Sequence, residues 1–296
     1  MRRRYDGRAL QAPLHRVWQL RPYAYRAFDR PPLRGPLARA ATWAARRESG
    51  ADVEIAYRDG LWAYRAGDAW IPGERRFVYR HGRDILGWPG FDRALAEDMW
   101  LHVYRPEPGD VIVDVGAGIG GETQVFSEAV GLAGRVLSIE ANPSTYERLR
   151  ARVRWNRLDN VTPVQCAIVD RAQPVYIEDR PEVYERNTVS LERRERDLAA
   201  PVEGVSLDEL CAREGIERID FLKVNIEGAE RLAIQGMTDI IGRTGAVCVA
   251  CHDFADEERR TKQPVTAFLE AAGFDIVTRD DDPRPFVRDH VHAIRR

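Results

Sequence analysis

The stretch Val111-Ile-Val-Asp-Val-Gly-Ala-Gly-Ile-Gly-Gly121 joins an apolar run to a turn that is rich in glycine. The apolar run predicts a buried β-strand, and the residues after the turn predict a helix. Gly116, Gly118 and Gly120 lack the Cβ atoms that would hold a ligand away from the backbone, and glycine adopts the positive φ angles of a tight turn. The pattern therefore predicts a strand, a turn and a helix that together bind a nucleotide cofactor.

Strand and helix patterns alternate from Val111 onward, which is typical of a parallel sheet covered by helices on both faces. The predicted strands cover residues 111–115, 135–139, 161–168, 219–224, 246–250, 274–278 and 292–294. Predicted helices begin near Glu122, at Pro143, after Ser206 and at Pro264. We therefore expect a doubly wound, Rossmann-like α/β fold.

Residues 1–95 show a different pattern, which predicts an N-terminal extension of α+β type. Helices are predicted over residues 10–18 and 37–47, a loop over residues 30–36, a β-hairpin over residues 53–64 and an extended piece over residues 77–79. We therefore divide the chain into an accessory or lid segment at residues 1–95 and a catalytic domain at residues 96–296. The insertion at residues 170–205 is a second candidate lid.

The composition argues against nucleic acid and membrane as partners. The 296 residues include 45 Lys and Arg and 47 Asp and Glu, for a net charge of −2, so the overall charge does not attract polyanions. No apolar run approaches the ~20 residues of a membrane span, and the start of the chain lacks the apolar region of a secretory signal. The 4 cysteines show no dense disulfide pattern. We expect a cytoplasmic protein that acts on a small molecule.

Two cofactors fit the glycine turn. Gly116, Gly118 and Gly121 match the G-x-G-x-x-G pattern of NAD-binding proteins, and Glu140 lies near the expected position of their ribose-binding carboxylate. Asp114 precedes the turn at the end of the strand, where a carboxylate suits a cationic amino group better than a pyrophosphate. Asp114 therefore favours S-adenosylmethionine. With either cofactor, Glu140 can accept hydrogen bonds from ribose hydroxyls.

Motifs in four parts of the chain resemble those of the FkbM-type class I methyltransferases. They are Asp114-Val-Gly-Ala-Gly-Ile-Gly120, Ile139-Glu-Ala-Asn-Pro143, Ser206-Leu-Asp-Glu-Leu210 and Asp220-Phe-Leu-Lys-Val-Asn-Ile-Glu-Gly-Ala-Glu230, in the family's order. The resemblance implies an S-adenosylmethionine-binding sheet of strand order 3-2-1-4-5-7-6 whose last strand is antiparallel. The last motif is the most specific, because a hydride-transfer enzyme has no reason to carry it.

The resemblance also implies which residues bind the cofactor. Asp114 and the glycine turn would lie near its amino-acid end, Glu140 near the ribose, and the end of strand three near adenine. The candidates are Asp114, Gly116, Ala117, Gly118, Gly120, Thr123, Glu140, Ala141, Ala167, Ile168 and Asn225. Thr123 fits helix packing equally well, and Asn225 stands where the family commonly has Asp. Lys223 lies inside strand four, where it could pair with a carboxylate.

The catalytic candidates follow strands four and five, since ligands of doubly wound folds lie beyond the carboxyl ends of the strands. Methyl transfer to a hydroxyl requires an aligned nucleophile and removal of its proton. His252 is the preferred general base, because an ordinary histidine pKa of ~6.5 suits proton acceptance near neutrality. Asp253 would orient His252 or bind substrate, and Glu227 completes the set. The alternative is that His252 and Asp253 only hold nearby loops by hydrogen bonds.

The need for a divalent metal is left open by the sequence. Some class I O-methyltransferases place oxygen ligands at the ends of strands four and five to hold a vicinal diol, and the candidates here are Glu227 and Asp253. His252 would be a poor ligand for Mg²⁺, which prefers oxygen. No residue is therefore assigned to a metal.

The resemblance implies an O-methyltransferase that modifies a hydroxyl of a sugar, a glycosylated molecule or a polyketide-like natural product, as a tailoring enzyme in biosynthesis. Residues 1–50 hold 12 Arg against Asp6, Asp29 and Glu48, which leaves a nucleic-acid methyltransferase as an alternative. Its stacking residues would be Trp18, Tyr23, Tyr25 and Phe28. This basic arm, residues 1–50, could instead form a homodimer contact. A further alternative is a scaffold or cyclase without methyl transfer.

Overall fold

The computed structural model describes residues 29–178, 189–193, 200–253 and 260–296. The helix predicted over residues 10–18 and the aromatic residues of the basic arm lie outside these ranges. The chain divides into two compact units, Met1–Trp88 and Pro89–Arg296. The division falls before the boundary predicted at residue 95, inside a helix that covers Gly82–Leu95. Over the described residues, no helix combines the length and the apolar character needed to cross a membrane.

The first unit, in its described part, packs one helix against a three-stranded antiparallel sheet. Its elements are α1 (Pro31–Ser49), β1 (Val53–Arg58), β2 (Leu61–Ala66) and β3 (Ala69–Pro72), and α2 (Gly82–Leu95) begins in this unit. Trp62 and Ile55 lie in its core with Ala45. The Thr42 hydroxyl of α1 donates to the carbonyl of Ile55 and accepts from its amide, which ties the helix to β1.

Two predictions for this unit are wrong. The loop predicted over residues 30–36 is the beginning of α1, because proline fits the first helical turn, where the backbone amides have no partner in the helix. The extended piece predicted over residues 77–79 is not a strand, and the third strand is Ala69–Pro72. Phe77 packs into the core, and its amide donates to the Asp29 carboxylate rather than to a neighbouring strand.

The second unit is built on a seven-stranded sheet. Its strands are β4 (Val111–Val115), β5 (Arg135–Ile139), β6 (Val161–Val164), β11 (Ile219–Val224), β12 (Thr244–Ala250), β13 (Phe274–Thr278) and β14 (His290–Arg295). They lie in the order β13-β14-β12-β11-β4-β5-β6. Strands β6, β5, β4, β11 and β12 are parallel, and β14 is antiparallel to both of its neighbours. When these seven strands are numbered one to seven along the chain and the sheet is followed from β6 to β13, the order is 3-2-1-4-5-7-6, as the resemblance implies.

A smaller sheet of order β7-β10-β8-β9 lies beside the edge of the large one. Its strands are β7 (Ala167–Ile168), β8 (Gln173–Ile177), β9 (Val189–Ser190) and β10 (Val202–Val205). The single strand predicted over residues 161–168 is therefore two strands. Val164 pairs with Ile139, the last residue of β5, so the chain has no further partner there. Ala167 and Ile168 pair with β10 instead.

Helices connect the strands; those at Gly121, Pro143, Leu207 and Lys262 begin within two residues of a predicted start, whereas the helix at Pro285 was not predicted. They are α3 (Gly121–Val130), α4 (Pro143–Trp155), α5 (Leu207–Glu214), α6 (Glu230–Ala233), α7 (Lys262–Ala271) and α8 (Pro285–Arg288), with a π-helical turn at Ala96–Trp100. The side chain of Asn142 accepts from the first amides of α4, and the Ser206 hydroxyl accepts from the amide of Glu209 in α5. These caps supply partners for amides that a helix leaves unpaired.

The central strands are buried on both faces. In β4, Val113 and Val115 belong to one core cluster and Ile112 belongs to the cluster on the opposite face. This arrangement is expected for a parallel sheet between helices. It leaves the carboxyl ends of the strands as the place where loops can form a binding cavity.

Substitution of Gly116 by alanine tests the packing of the turn against β11. Gly116 has φ 76°, and a Cβ there would lie 1.9 Å from the carbonyl oxygen of Asn225. Gly215→Ala is the matched control, because Gly215 has φ 67° with open space around it. We expect Gly215→Ala to lower the free energy of unfolding by about 1–2 kcal/mol and Gly116→Ala by at least about 3 kcal/mol, measured in urea. Equal losses would contradict the close packing.

Candidate functional site

A cavity of about 290 Å³ opens at the carboxyl ends of β4, β5 and β11. Its size is close to that of small-molecule sites. Eight predicted cofactor-binding residues line it: Gly116, Ala117, Gly118, Glu140, Ala141, Ala167, Ile168 and Asn225. Glu227, a predicted catalytic residue, lies on the same wall. The topology thus brings together residues that are far apart in the sequence.

Apolar side chains from two other segments also line this cavity. Ile177 and Val189 come from the insertion at residues 170–205, so its described part contributes to the wall. Phe91 and Leu95 come from the end of α2. Phe91 and Leu95 could not be identified from the sequence, because they precede the first recognisable strand of the sheet.

Glu140 is held against the glycine turn by backbone hydrogen bonds. One carboxylate oxygen accepts from the amide of Gly118 at 3.0 Å, and the other accepts from the amide of Asn142 at 2.8 Å. Burial raises the pKa of Glu140 to about 7, although both amides lower it. The carboxylate is therefore fixed in direction at the end of β5, where a polar ligand group can meet it.

Asp114 and Thr123 lie beneath the turn rather than on the cavity wall. Both residues are fully buried. One carboxylate oxygen of Asp114 lies 2.8 Å from the Lys223 ammonium, and the other accepts from the Thr123 hydroxyl at 2.7 Å. The carboxylate that the sequence assigned to a cofactor amino group is thus neutralised within the protein. Gly120, which precedes α3, is also absent from the wall and faces α4 instead, since a Cβ there would lie 2.8 Å from Leu149.

Lys223 pairs with a carboxylate, as predicted, and also supports the turn. Its ammonium donates to the carbonyl of Gly116 at 2.7 Å and lies 5.0 Å from the ring centroid of Trp100. Burial lowers the pKa of Lys223, but the charges of Asp114 and Glu122 outweigh burial and raise it. Lys223 therefore carries its positive charge at the base of the cavity.

His252 lies between two carboxylates and is charged at neutral pH. Its Nε2 is 3.1 Å from Glu227, and its Nδ1 is 3.1 Å from Glu230. Burial lowers the pKa of His252, but the hydrogen bonds with Glu227 and Glu230 raise it to about 10. The prediction that His252 accepts a proton near pH 7 rested on an ordinary histidine pKa, whereas here the two carboxylates raise that pKa. An imidazolium has no lone pair with which to act as a base.

Asp253 caps the next helix. One of its carboxylate oxygens accepts from the amides of Thr261 at 2.7 Å and Lys262 at 3.0 Å, at the start of α7. This is the loop-holding role that the sequence left as the alternative. Asp253 does not line the cavity. Across the described ranges, no group of three or more His, Cys, Asp or Glu side chains is arranged to hold a metal.

Glu227 is the catalytic candidate that reaches the cavity, and its backbone is strained. It has φ 55°, a left-handed conformation that is unusual for residues other than glycine. Glu230 stabilises the turn, since its carboxylate accepts from the amides of Ile226 and Gly228. Strain of this kind costs on the order of 1–3 kcal/mol and is concentrated at functional sites.

Two further carboxylates on the wall were missed by the sequence predictions. Glu122 lies in the first turn of α3 and accepts from the indole N–H of Trp100 at 3.4 Å. Asp92 lies in α2, and its carboxylate accepts from Arg152 at 2.5 Å. Glu122 directly follows the glycine turn, a position from which it could have been found. Asp92 belongs to the segment that was predicted to be accessory.

Known proteins resemble the chain in structure and in sequence. An FkbM methyltransferase structure from Methylobacillus flagellatus KT has a TM-score of 0.47 at 15% identity, with 71% of this chain and 51% of that chain covered. This chain thus spans about half the length of that structure. Fibrillarin from Aeropyrum pernix, solved with S-adenosyl-L-methionine, has a TM-score of 0.39 at 18% identity, with coverage of 82% and 98%.

A curated protein and a family model give the sequence relationship. Hexuronic acid methyltransferase AglP from Haloferax volcanii is 26% identical over 181 residues, which are 61% of this chain and 69% of that protein. The model of the methyltransferase FkbM domain matches residues 114–276. This match covers more than half of the 296 residues. The chain therefore belongs to the FkbM methyltransferase family.

Proposed function

We propose that the protein transfers a methyl group from S-adenosylmethionine to a hydroxyl of a sugar or sugar-bearing small molecule. The observation that carries this proposal is the cavity whose wall contains the glycine turn, Glu140 and Glu227. Family membership supports the methyltransferase chemistry. The name of the relative AglP, a hexuronic acid methyltransferase, supports a carbohydrate acceptor.

The residues of the cavity fit the proposed cofactor. A Cβ on Gly118 would meet open space, so the backbone of the turn is accessible to a ligand. Glu140 offers carboxylate oxygens to the ribose hydroxyls, and Ala167 and Ile168 offer an apolar surface to the adenine ring. When bound, S-adenosylmethionine supplies an electrophilic methyl group on a sulfonium centre.

Glu227 is the residue that we assign to the acceptor hydroxyl. As an ionised carboxylate it can accept a hydrogen bond from the hydroxyl, which orients the oxygen, and it can take the proton as the methyl group is transferred. The His252 imidazolium lies 3.1 Å from one oxygen of Glu227 and orients the carboxylate. His252 is thus a positioning residue, and Glu230 fixes the ring from the other side.

Two variants separate cofactor binding from turnover. We expect Glu140→Ala to weaken the binding of S-adenosylhomocysteine at least about tenfold in calorimetry, because the ribose loses a charged acceptor. We expect Glu227→Gln to keep that affinity and to lose most turnover on a panel of sugars and glycosylated natural products, since an amide does not accept the proton. The control is Glu217→Gln, because Glu217 is exposed. Wild-type affinity in Glu140→Ala would disprove the ribose role, and full turnover in Glu227→Gln would remove Glu227 from catalysis.

The charge of His252 can be tested by titration. Its folded pKa of about 10 lies above the ordinary value of 6.5, so its pairing stabilises the fold fully below pH 6.5 and progressively less as pH rises to 10. The difference in unfolding free energy between wild type and His252→Gln should therefore shrink over this range, and the ¹⁵N shifts of His252 should stay those of imidazolium at pH 8. His102→Gln removes an exposed histidine as the control. Titration of His252 near pH 6.5 would restore it as a candidate base.

A further inference from the structure

One end of the cavity carries more negative than positive charge. We call Asp92, Glu122 and Lys223 on this part of the wall the acidic corner. Lys223 is paired with the buried carboxylate of Asp114 at 2.8 Å, and Asp92 is paired with Arg152 at 2.5 Å. Within the acidic corner, Lys223 and Asp92 thus each have a charged partner outside the corner.

Glu122 is the third residue of the acidic corner. Among the described residues, no basic side chain forms an ion pair with it, and its hydrogen-bond donor is the neutral indole of Trp100 at 3.4 Å. Burial raises the pKa of Glu122, and the charge of Lys223 counteracts this only in part. A cationic ligand group at this position would stabilise the ionised carboxylate, because charges attract strongly where water is excluded.

The position of Glu122 indicates which part of a ligand it can meet. It lies in the first turn of α3, directly after the glycine turn, whereas Glu140 lies at the end of the neighbouring strand β5. With the ribose at Glu140 and the adenine at Ala167 and Ile168, as proposed above, the acidic corner is a part of the wall that can receive the other end of the cofactor. In S-adenosylmethionine that end carries an α-ammonium and an α-carboxylate. The α-ammonium could serve as the positively charged partner of Glu122.

We propose that Glu122 binds the α-ammonium group of the cofactor, in the role that the sequence assigned to Asp114. Asp114 is neutralised by Lys223 and does not reach the wall. Asp92 has its own guanidinium partner and shapes the corner. This assignment rests on the proposed function, since it requires S-adenosylmethionine as the ligand.

Calorimetry with two probes tests the assignment. S-adenosylhomocysteine carries the amino-acid end, whereas 5′-methylthioadenosine shares the nucleoside and the sulfur but lacks that end. We expect Glu122→Gln to weaken S-adenosylhomocysteine binding about tenfold or more and to change 5′-methylthioadenosine binding less than about twofold. Glu140→Gln should weaken the binding of both. Glu128→Gln, which removes an exposed carboxylate from the same helix, should change neither.

The outcomes separate this assignment from the proposed function. Absence of S-adenosylhomocysteine binding by the wild-type protein would overturn the proposed function. Binding by wild type with equal affinity in Glu122→Gln would overturn only the role of Glu122. Equal loss of both probes in Glu122→Gln would also overturn it, because the residue would then act outside the amino-acid end. A larger loss of S-adenosylhomocysteine affinity in Asp92→Asn than in Glu122→Gln would transfer the role to Asp92.

Discussion

A buried ion pair between Asp114 and Lys223 joins the two central strands of the sheet directly beneath the glycine turn. The two residues are register partners on β4 and β11, and both are shielded from water. A charge buried in this way is tolerated only with a partner, since removal of one member of such a pair costs about 3–5 kcal/mol. Lys223 also holds the carbonyl of Gly116. The shape of the turn, and with it the cavity, therefore depends on this pair.

A second charged group consists of His252 with Glu227 and Glu230. Here the net charge is negative and the carboxylate of Glu227 reaches the cavity. The sequence predicted single residues, Asp114 and His252, where the structure has groups of charged residues. In each group a buried cation is paired with a carboxylate that does not line the cavity, and another carboxylate, Glu122 or Glu227, lies on the cavity wall.

The elements of the sheet could be predicted because periodicity and turn residues are local properties. Strand β4 has the predicted bounds, and helix α4 begins at the predicted residue. Glu140 directly follows β5 and lines the cavity. The partners of Asp114 and His252 could not be predicted, because they lie on other elements of the fold. From the sequence, Asp114 is a candidate for the cofactor amino group, but in the fold it pairs with Lys223. His252 is a candidate base, but in the fold it lies between two glutamates. The prediction of one strand over residues 161–168 was wrong for a related reason. The strand ends at Val164 because its partner strand β5 ends at Ile139.

A double-mutant cycle on the buried pair tests the central claim most directly. Urea unfolding of Asp114→Asn, Lys223→Met and the combined variant measures how strongly the two charges depend on each other. We predict that each single substitution lowers the free energy of unfolding by about 3–5 kcal/mol, and that the combined loss is at least about 1 kcal/mol smaller than the sum. Losses that add to within about 0.5 kcal/mol would contradict the account, because the two residues would then act independently.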